Sequence, residues 1–153
     1  MMVLRALHSD EFAAYAAYFV PDYAADLVAN HGLTERAAMA KAQGDLDSAF
    51  PKGPVSPGQS LLAIVLNAAL IGYLWYEMQA AGTVAFVQDF HILPKFQGRG
   101  LAKAAMAMFE AQLRGAGVSL IRLRVAPDNP VARHVYEAGG FRMSGINMYK
   151  TVE

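Results

Sequence analysis

Hydrophobic residues recur along the chain at two different spacings, and each spacing predicts a different kind of element. Alternation of apolar and polar residues, or a short apolar run, is typical of strands. The segments of this kind are residues 3–7, 61–66, 70–79, 83–93 and 120–125. Apolar residues three and four positions apart are typical of amphipathic helices. The segments of this kind are residues 12–30, with a proline at position 21, 34–50 and 101–113.

Turn-forming residues set the boundaries between these segments. Residues 51–58 contain three prolines and two glycines and predict a loop. Asn67-Ala68-Ala69 predicts a hairpin turn within a three-stranded meander. Asp128 or Asn129 caps a last helix, and two further strands at 141–144 and 146–151 form a closing hairpin. The predicted order is β-α-α-β-β-β-α-β-α-β-β.

Length and composition limit the fold and exclude some functions. At 153 residues, the chain predicts a single domain over residues 1–153. Thirteen basic and thirteen acidic side chains cancel, so no broad basic surface for nucleic acid is expected. With no cysteine there is neither a thiol nucleophile nor a cysteine-based zinc site, and no metal is predicted. The absence of cysteine favours a cytoplasmic protein. No apolar run is long enough to cross a membrane, so no membrane partner is expected.

The segment Gln97–Ala102 lies between an apolar strand and an amphipathic helix and contains two glycines, Gly98 and Gly100. Glycines let the backbone turn sharply and point several N–H groups at one place. The first N–H groups of a helix lack partners within the helix and carry the positive end of its dipole. The spacing differs from that of the nucleotide-binding P-loop and of the dinucleotide fingerprint. The segment therefore predicts either a phosphate site or a tight connection that binds nothing.

Two motifs in this order carry a resemblance to a known family. Gln97, Gly100 and Ala102 fit the pattern Q/R-x-x-G-x-G/A, and Ile92-x-Pro94 precedes it. The second pattern, N-x-x-A-x-x-x-Y-x-x-x-G-F, is matched by Asn129, Ala132, Tyr136, Gly140 and Phe141. In these residues the chain resembles the GNAT family of acetyl-CoA-dependent N-acetyltransferases. The resemblance covers residues 84–141.

The resemblance implies an α/β (α+β) fold in one domain. Its mixed, mostly antiparallel and twisted sheet carries helices on both faces, and two central strands splay apart. Acetyl-CoA, the implied co-substrate, would lie in that gap and bind through main-chain groups near Ile92 and Leu93 and through N–H groups at the glycine turn. The residues implied for the turn are Gln97, Gly98, Arg99, Gly100, Leu101 and Ala102. Arg99 and Lys103 either add charge or are merely solvated, and Asn129 either contacts the cofactor or only caps its helix.

The resemblance also implies direct acetyl transfer to an amine. Tyr136 would serve as general acid toward the departing thiolate, or else it is a buried core tyrosine. Among polar residues beside the gap, Asp89 is favoured as the proton acceptor, with His91 as an alternative. Gln88 lies on the opposite face by strict alternation, and a strand bulge would exchange the faces and favour Gln88 as a residue that only orients the acceptor.

The acceptor is not identified by the sequence beyond a primary amine of a small molecule or a peptide. Glu77 is a candidate for binding a cationic amine, while Tyr73, Trp75 and Tyr76 either line the acceptor pocket or form core. The aromatic face of the first helix, which includes Tyr15 and Tyr18, has the same two interpretations. The alternative function is a non-catalytic sensor that binds CoA or acetyl-CoA. A homodimer is a further expectation from the resemblance.

Overall fold

A computed structural model describes residues 1–152 of the chain. It contains five strands and four α-helices in these residues. In chain order they are β1 (Met2–Ala6), α1 (Phe12–His31), α2 (Glu35–Ala49), β2 (Gln59–Leu66), β3 (Ala69–Gln79), β4 (Val84–Ile92), α3 (Leu101–Gly115), β5 (Leu120–Leu123) and α4 (Pro130–Ala138). The strands form one open sheet in the order β1-β2-β3-β4-β5. Only β4 and β5 run parallel.

Helices α1 and α2 cover one face of the sheet. Buried Tyr15 and Phe19 of α1 pack with Tyr73 and Trp75 of β3 in one core cluster, to which α2 contributes small residues and Leu46. The side chain of Thr34 caps α2 by accepting a hydrogen bond from the amide of residue 37 at 3.2 Å, as Ser and Thr commonly do before a helix. We refer to this side of the sheet as the α1/α2 face.

Helices α3 and α4 cover the opposite face. The apolar stripe of α3, with Met106 and Phe109 at its centre, packs on Ile71 and Leu74 of β3 in a second core cluster. Tyr136 of α4 lies at the margin of the same cluster. The fold class predicted from the sequence, a mixed sheet with helices on both faces, is confirmed.

Strands β4 and β5 separate partway along β4. Their parallel pairing runs from Val84–Leu120 to Val87–Leu123, where β5 ends, while β4 continues to Ile92. A bulge at Gln88 lies at the same point, because Trp75 pairs with Asp89 while the next residue of β3 pairs with Val87. The splayed strands expected from the resemblance are therefore present. Beyond the bulge, alternate side chains of β4 exchange faces.

The end of the chain differs from the prediction. The predicted strands 141–144 and 146–151 are not formed, and residues 141–152 follow α4 without regular structure. Most of this segment is exposed, including Ile146 and Met148, so little apolar burial is available to hold a hairpin. Pro21 does not divide the first helix, since α1 is continuous through it.

Within the part of the chain that the structure describes, no helix combines the length and the apolar character needed to cross a membrane.

Candidate active site

The glycine turn between β4 and α3 presents an array of free backbone N–H groups. Gly98 and Gly100 adopt positive φ angles of 77° and 74°, and a Cβ at either position would have no atom within 4 Å. Within residues 1–152, the N–H groups of residues 98–103 have no intramolecular acceptor. Together with the positive end of the α3 dipole, they form a site suited to a phosphate or diphosphate.

Gln97 fixes this turn to the end of β4. Its side-chain Nε2 donates to the carbonyl oxygen of Ile92 at 2.7 Å. Its backbone N–H donates to the carbonyl of Pro94 at 3.2 Å and is therefore used within the turn. The free N–H array thus begins one residue later than the predicted set, while the side chain of Gln97 supports the turn.

The two predicted strand residues face opposite edges of β4. The N–H of Leu93 donates to the carbonyl of Ile71 at 2.8 Å and so points toward β3. Because backbone groups of successive strand residues point to alternate edges, those of Ile92 face the gap beside β5. An extended ligand arm in the gap would therefore meet the N–H of Ile92, while the carbonyl oxygen of Ile92 already accepts from Gln97.

Asp89 lies on the α1/α2 face because of the bulge at Gln88. Its two carboxylate oxygens accept hydrogen bonds from the hydroxyls of Tyr15, at 2.9 Å, and Tyr18, at 3.0 Å. Desolvation by burial raises the pKa of Asp89 to about 7, while the two tyrosine hydrogen bonds act in the opposite direction. A carboxyl group that titrates near neutral pH can accept a proton under physiological conditions.

His91 and Gln88, the other polar residues considered on β4, lie in environments different from that of Asp89. His91 stacks on Tyr18, with 3.9 Å between ring centroids and 13° between ring planes, and burial lowers its pKa. Gln88 is the bulged residue, is exposed, and donates to Glu77 at 3.2 Å. The bulge considered from the sequence is present, and both Gln88 and Asp89 line the cavity described below.

Tyr136 borders the gap from α4. Its ring packs against Phe90 of β4 and Phe141, with centroid distances of 6.3 and 5.7 Å. Burial, with a smaller contribution from the negative charge of Asp89, raises the pKa of Tyr136 to about 12. The hydroxyl is therefore protonated at neutral pH and can donate a hydrogen bond. The ring is packed as in the core interpretation, and the role of the hydroxyl toward the departing thiolate stays a prediction.

An open cavity of about 340 Å³ lies on the α1/α2 face beside Asp89. Aromatic side chains of Phe19, Tyr23, Trp75 and Phe86 form its walls. Its charged lining residues are four aspartates and one arginine, namely Asp22, Asp26, Asp45, Asp89 and Arg124. The lining therefore has an excess of acidic groups.

Two of these acidic groups already have cationic partners. Arg124 lies 3.3 Å from Asp26, and Lys41 lies 3.0 Å from Asp45. Asp22 takes part in no ion pair among the described residues, and loss of solvation raises its pKa. The carboxyl groups of the cavity without a cationic partner among the described residues are thus Asp22 and Asp89, and both have raised pKa values.

The residues considered for the acceptor pocket fall on different faces. Trp75 lines the cavity, whereas Tyr73 is buried beneath it against Tyr15. Tyr76 packs against Phe109 of α3 on the opposite face, at 4.9 Å between centroids, and does not reach the cavity. Glu77 lies near the cavity through its contact with Gln88.

The remaining predicted residues surround the gap. Asn129 caps α4, since its Oδ1 accepts from the N–H of Ala132 at 3.1 Å, and its contact with the cofactor stays a prediction. Arg99 is exposed, with its guanidinium 5.7 Å from the centre of the Phe96 ring. Leu101 and Ala102 form the first turn of α3, and their free N–H groups belong to the array described above.

The hydrogen bonds from Tyr15 and Tyr18 to Asp89 are not predicted by the sequence pattern. Both tyrosines lie on the aromatic face of α1 that was recognised, but the contact joins positions 74 and 71 residues apart in sequence. Nothing in the local pattern indicates which strand residue this face meets.

A possible cation site lies apart from this region. His8, Asp10 and Glu11 hold potential ligand atoms within 4.8 Å of one another. Glu11, however, is already paired with Arg5 at 2.8 Å, and the group lies at the exposed start of α1. No ligand role follows from this cluster.

Comparison with known proteins agrees with the geometry. A model of the acetyltransferase (GNAT) family matches residues 45–141. The uncharacterized N-acetyltransferase YycN of Bacillus subtilis is 31% identical over 97% of both chains. Its crystal structure superposes with a TM-score of 0.93 at 26% identity, covering 100% of this chain and 99% of that one.

A more distant structure shares the fold. The PaiA N-acetyltransferase of Thermoplasma acidophilum in complex with coenzyme A has a TM-score of 0.72 at 14% identity, covering 96% of this chain and 93% of that one. The family model and the YycN relative show that the chain belongs to the GNAT acetyltransferase family.

Proposed function

We propose that the protein transfers the acetyl group of acetyl-CoA to the primary amine of a small molecule or a peptide. One observation carries the proposal. The gap between β4 and β5 has a free N–H array at one end, while Asp89, with a pKa of about 7, and Tyr136 stand near the bulge where the strands separate. Binding and proton transfer would thus occur along one continuous path.

The residues at the gap fit coenzyme A. The N–H groups of residues 98–103 would hold its diphosphate, and the two glycines leave their approach open. The edge of β4 at Ile92 would pair with the extended pantetheine arm as with an added strand. Arg99 and Lys103, both exposed near the array, would add positive charge. When bound, acetyl-CoA supplies the acetyl group as a thioester.

Asp89 would act as the general base. The bound ammonium ion loses one proton to the Asp89 carboxylate, directly or through a water molecule, before the neutral amine attacks. As the C–N bond forms and the C–S bond breaks, the nitrogen releases a second proton to solvent, from which the departing thiolate is protonated. This role requires the ionised form of Asp89, so activity should rise with pH through about 7. The position of Asp89 in the cavity lining supports this assignment.

Tyr136 would stabilise the leaving sulfur. When the C–S bond breaks, negative charge forms on a thiolate, whose conjugate acid has a pKa of roughly 8.5 in a cysteine side chain. The pKa of Tyr136, about 12, is higher, so its hydroxyl donates a hydrogen bond and full proton transfer is unfavourable. Tyr136 thus stabilises the negative charge that develops on the leaving sulfur.

The cavity on the α1/α2 face would hold the acceptor. An acidic lining attracts an ammonium ion, and faces of Trp75 and Phe86 can contact a cation favourably. After deprotonation the amine is neutral and able to attack. These features favour a cationic small molecule or the amino group of a peptide over an anionic acceptor.

Release of free CoA thiol tests the proposal. Acetyl-CoA is incubated with the protein and a panel of diamines, amino sugars, amino acids and peptides, and thiol is measured with a chromogenic reagent. The proposal expects amine-dependent thiol release that Asp89→Asn reduces by at least tenfold. Binding of acetyl-CoA without turnover on any amine would instead indicate the sensor function.

A further inference from the structure

Tyr15 and Tyr18 of α1 together occupy both oxygens of one carboxyl group. The Tyr15 hydroxyl donates to Oδ2 of Asp89 at 2.9 Å and the Tyr18 hydroxyl donates to Oδ1 at 3.0 Å. The two tyrosines are three residues apart, which places them on the same side of the helix. A single helix face thus holds the carboxyl group at two points.

Aromatic packing fixes both rings. Tyr15 is fully buried and packs edge-on against Tyr73 at 4.9 Å between centroids. Tyr18 lies between His91 and Tyr73, stacked on both at 3.9 and 5.9 Å. Rings held in this way present their hydroxyls in one orientation without further loss of entropy.

We propose that Tyr15 and Tyr18 are positioning residues, which hold the Asp89 carboxylate in one orientation toward the acceptor cavity and favour its ionised form. This inference rests on the proposed role of Asp89 as the base. A carboxylate has only acceptor oxygens, so two O–H donors stabilise the charged form over the protonated one. Without these two hydrogen bonds, desolvation would raise the pKa of Asp89 further.

Other groups around Asp89 do not replace this effect. The titratable and charged groups that face Asp89 or share its cavity are Asp22, Asp26, His91, Tyr136, Asp45, Tyr23, Tyr73 and Arg124. Asp22 raises the pKa of Asp89 further, and Arg124 is paired with Asp26. The two tyrosines therefore supply the side-chain hydrogen bonds that favour the carboxylate.

Carbon-13 NMR of aspartate carboxyl groups tests the proposal in the full chain. The Asp89 resonance is assigned by its loss in Asp89→Asn, and its titration midpoint is compared in wild type, Tyr15→Phe and Tyr18→Phe. Each variant removes one oxygen and keeps the ring. Because a hydrogen bond to a charged group is worth about one pH unit or more, each midpoint should rise by roughly one unit.

Turnover provides the second readout. In both variants the acidic limb of the kcat/KM profile should move to higher pH by the same amount, with activity largely restored above pH 9. Tyr76→Phe, which removes a hydroxyl on the opposite face of the sheet, is the matched control and should leave the profile in place.

The outcomes are separable from those of the proposed function. If the titration midpoint of Asp89 rises in both variants but the wild-type protein has no transferase activity, the positioning role of the two tyrosines is supported and the proposed acetyl transfer is rejected. Normal activity with an unchanged or lowered midpoint in both variants would overturn the proposal. Should Tyr15→Phe fail to fold, the less buried Tyr18→Phe alone decides, since its unchanged midpoint would overturn it equally.

Discussion

The backbone at Gly72 lies against the carbonyl oxygen of His91 so closely that a Cβ at position 72 would stand 2.2 Å from it. Gly72 is on β3 and His91 is on β4, two residues after the catalytic candidate Asp89. Only glycine permits this approach, which sets the path of β4 where it leaves β5. The close contact therefore helps to place the site.

Gly72→Ala should be destabilising, since the clash involves backbone on both strands and cannot be relieved by a rotamer change. We expect a loss of about 1–3 kcal/mol in the free energy of unfolding. The matched control is Gly44→Ala in α2, where an added Cβ meets nothing within 4 Å and should stabilise by about 0.5–1 kcal/mol. Urea unfolding of both variants measures this, and similar effects of the two substitutions would contradict the role of Gly72.

Gly100→Ala should weaken coenzyme A binding. The residue has a φ angle of 74°, so alanine adds about 1–2 kcal/mol of backbone strain and places a methyl group beside the N–H array. Gly58→Ala is the control, because Gly58 has a similar φ of 76° and equally open surroundings. It lies in the loop before β2, far in sequence from the glycine turn. Calorimetric titration with coenzyme A should show at least tenfold weaker binding for Gly100→Ala alone; equal affinities in the two variants would place the diphosphate elsewhere.

Tyr136→Phe should reduce turnover while coenzyme A binding stays within about twofold. The hydroxyl makes no hydrogen bond among the described residues, so its loss should leave packing against Phe90 and Phe141 intact. Removing a donor to developing charge typically costs about 10²–10³ in kcat. Steady-state kinetics and binding measured on one preparation provide the test. An unaltered kcat would remove Tyr136 from the mechanism.

The stability of the protein should depend on the protonation of Asp89. Its folded pKa of about 7 is above the ordinary value of 3.8, so the folded state binds the proton more tightly than the unfolded state. The stability contributed is complete below the unfolded pKa and is lost as pH rises through about 7, at most roughly 4 kcal/mol. Asp89→Asn cannot titrate, so it should lose less stability than wild type between pH 5 and 7.

The effect of Asp89 on stability falls at a different pH from that of Glu11, whose contribution has the opposite pH dependence. Arg5 holds the pKa of Glu11 at about 2 through a direct hydrogen bond, so that pair loses stability only as pH falls below 4.5. Denaturant unfolding at pH 5, 6 and 7 gives the comparison. Parallel curves for wild type and Asp89→Asn would show that the carboxyl group is not desolvated.

The order of elements was predictable because it depends on local signals. Alternation predicted the strands, the Asn67-Ala68-Ala69 turn predicted the β2–β3 hairpin, and Asn129 caps the last helix as expected. The prediction of a closing hairpin at residues 141–151 was wrong for a related reason. Local pattern reports what a segment can form, whereas a strand also needs a partner and a face to bury, which the exposed residues 142–152 lack.

The site was predictable only in part. The glycine turn is contiguous in sequence, so Gln97 and Gly100 could be matched to the pattern of the family that the chain resembles. The surroundings of Asp89 depend on a bulge at Gln88 and on an α1 face far away in sequence, and neither is determined locally. Sequence therefore indicated Asp89 but gave no reason for its raised pKa.

Amide NMR of the nitrogen-15-labelled protein tests the central claim most directly, because it observes the proposed N–H array itself. Coenzyme A is added stepwise, and each backbone resonance is followed to saturation. We predict that coenzyme A causes the largest shifts at residues 98–103 and at Ile92. Pantetheine, which lacks the diphosphate, should shift the resonance of Ile92 and leave those of residues 98–103 in place. Saturable binding that leaves residues 98–103 unshifted would contradict the account.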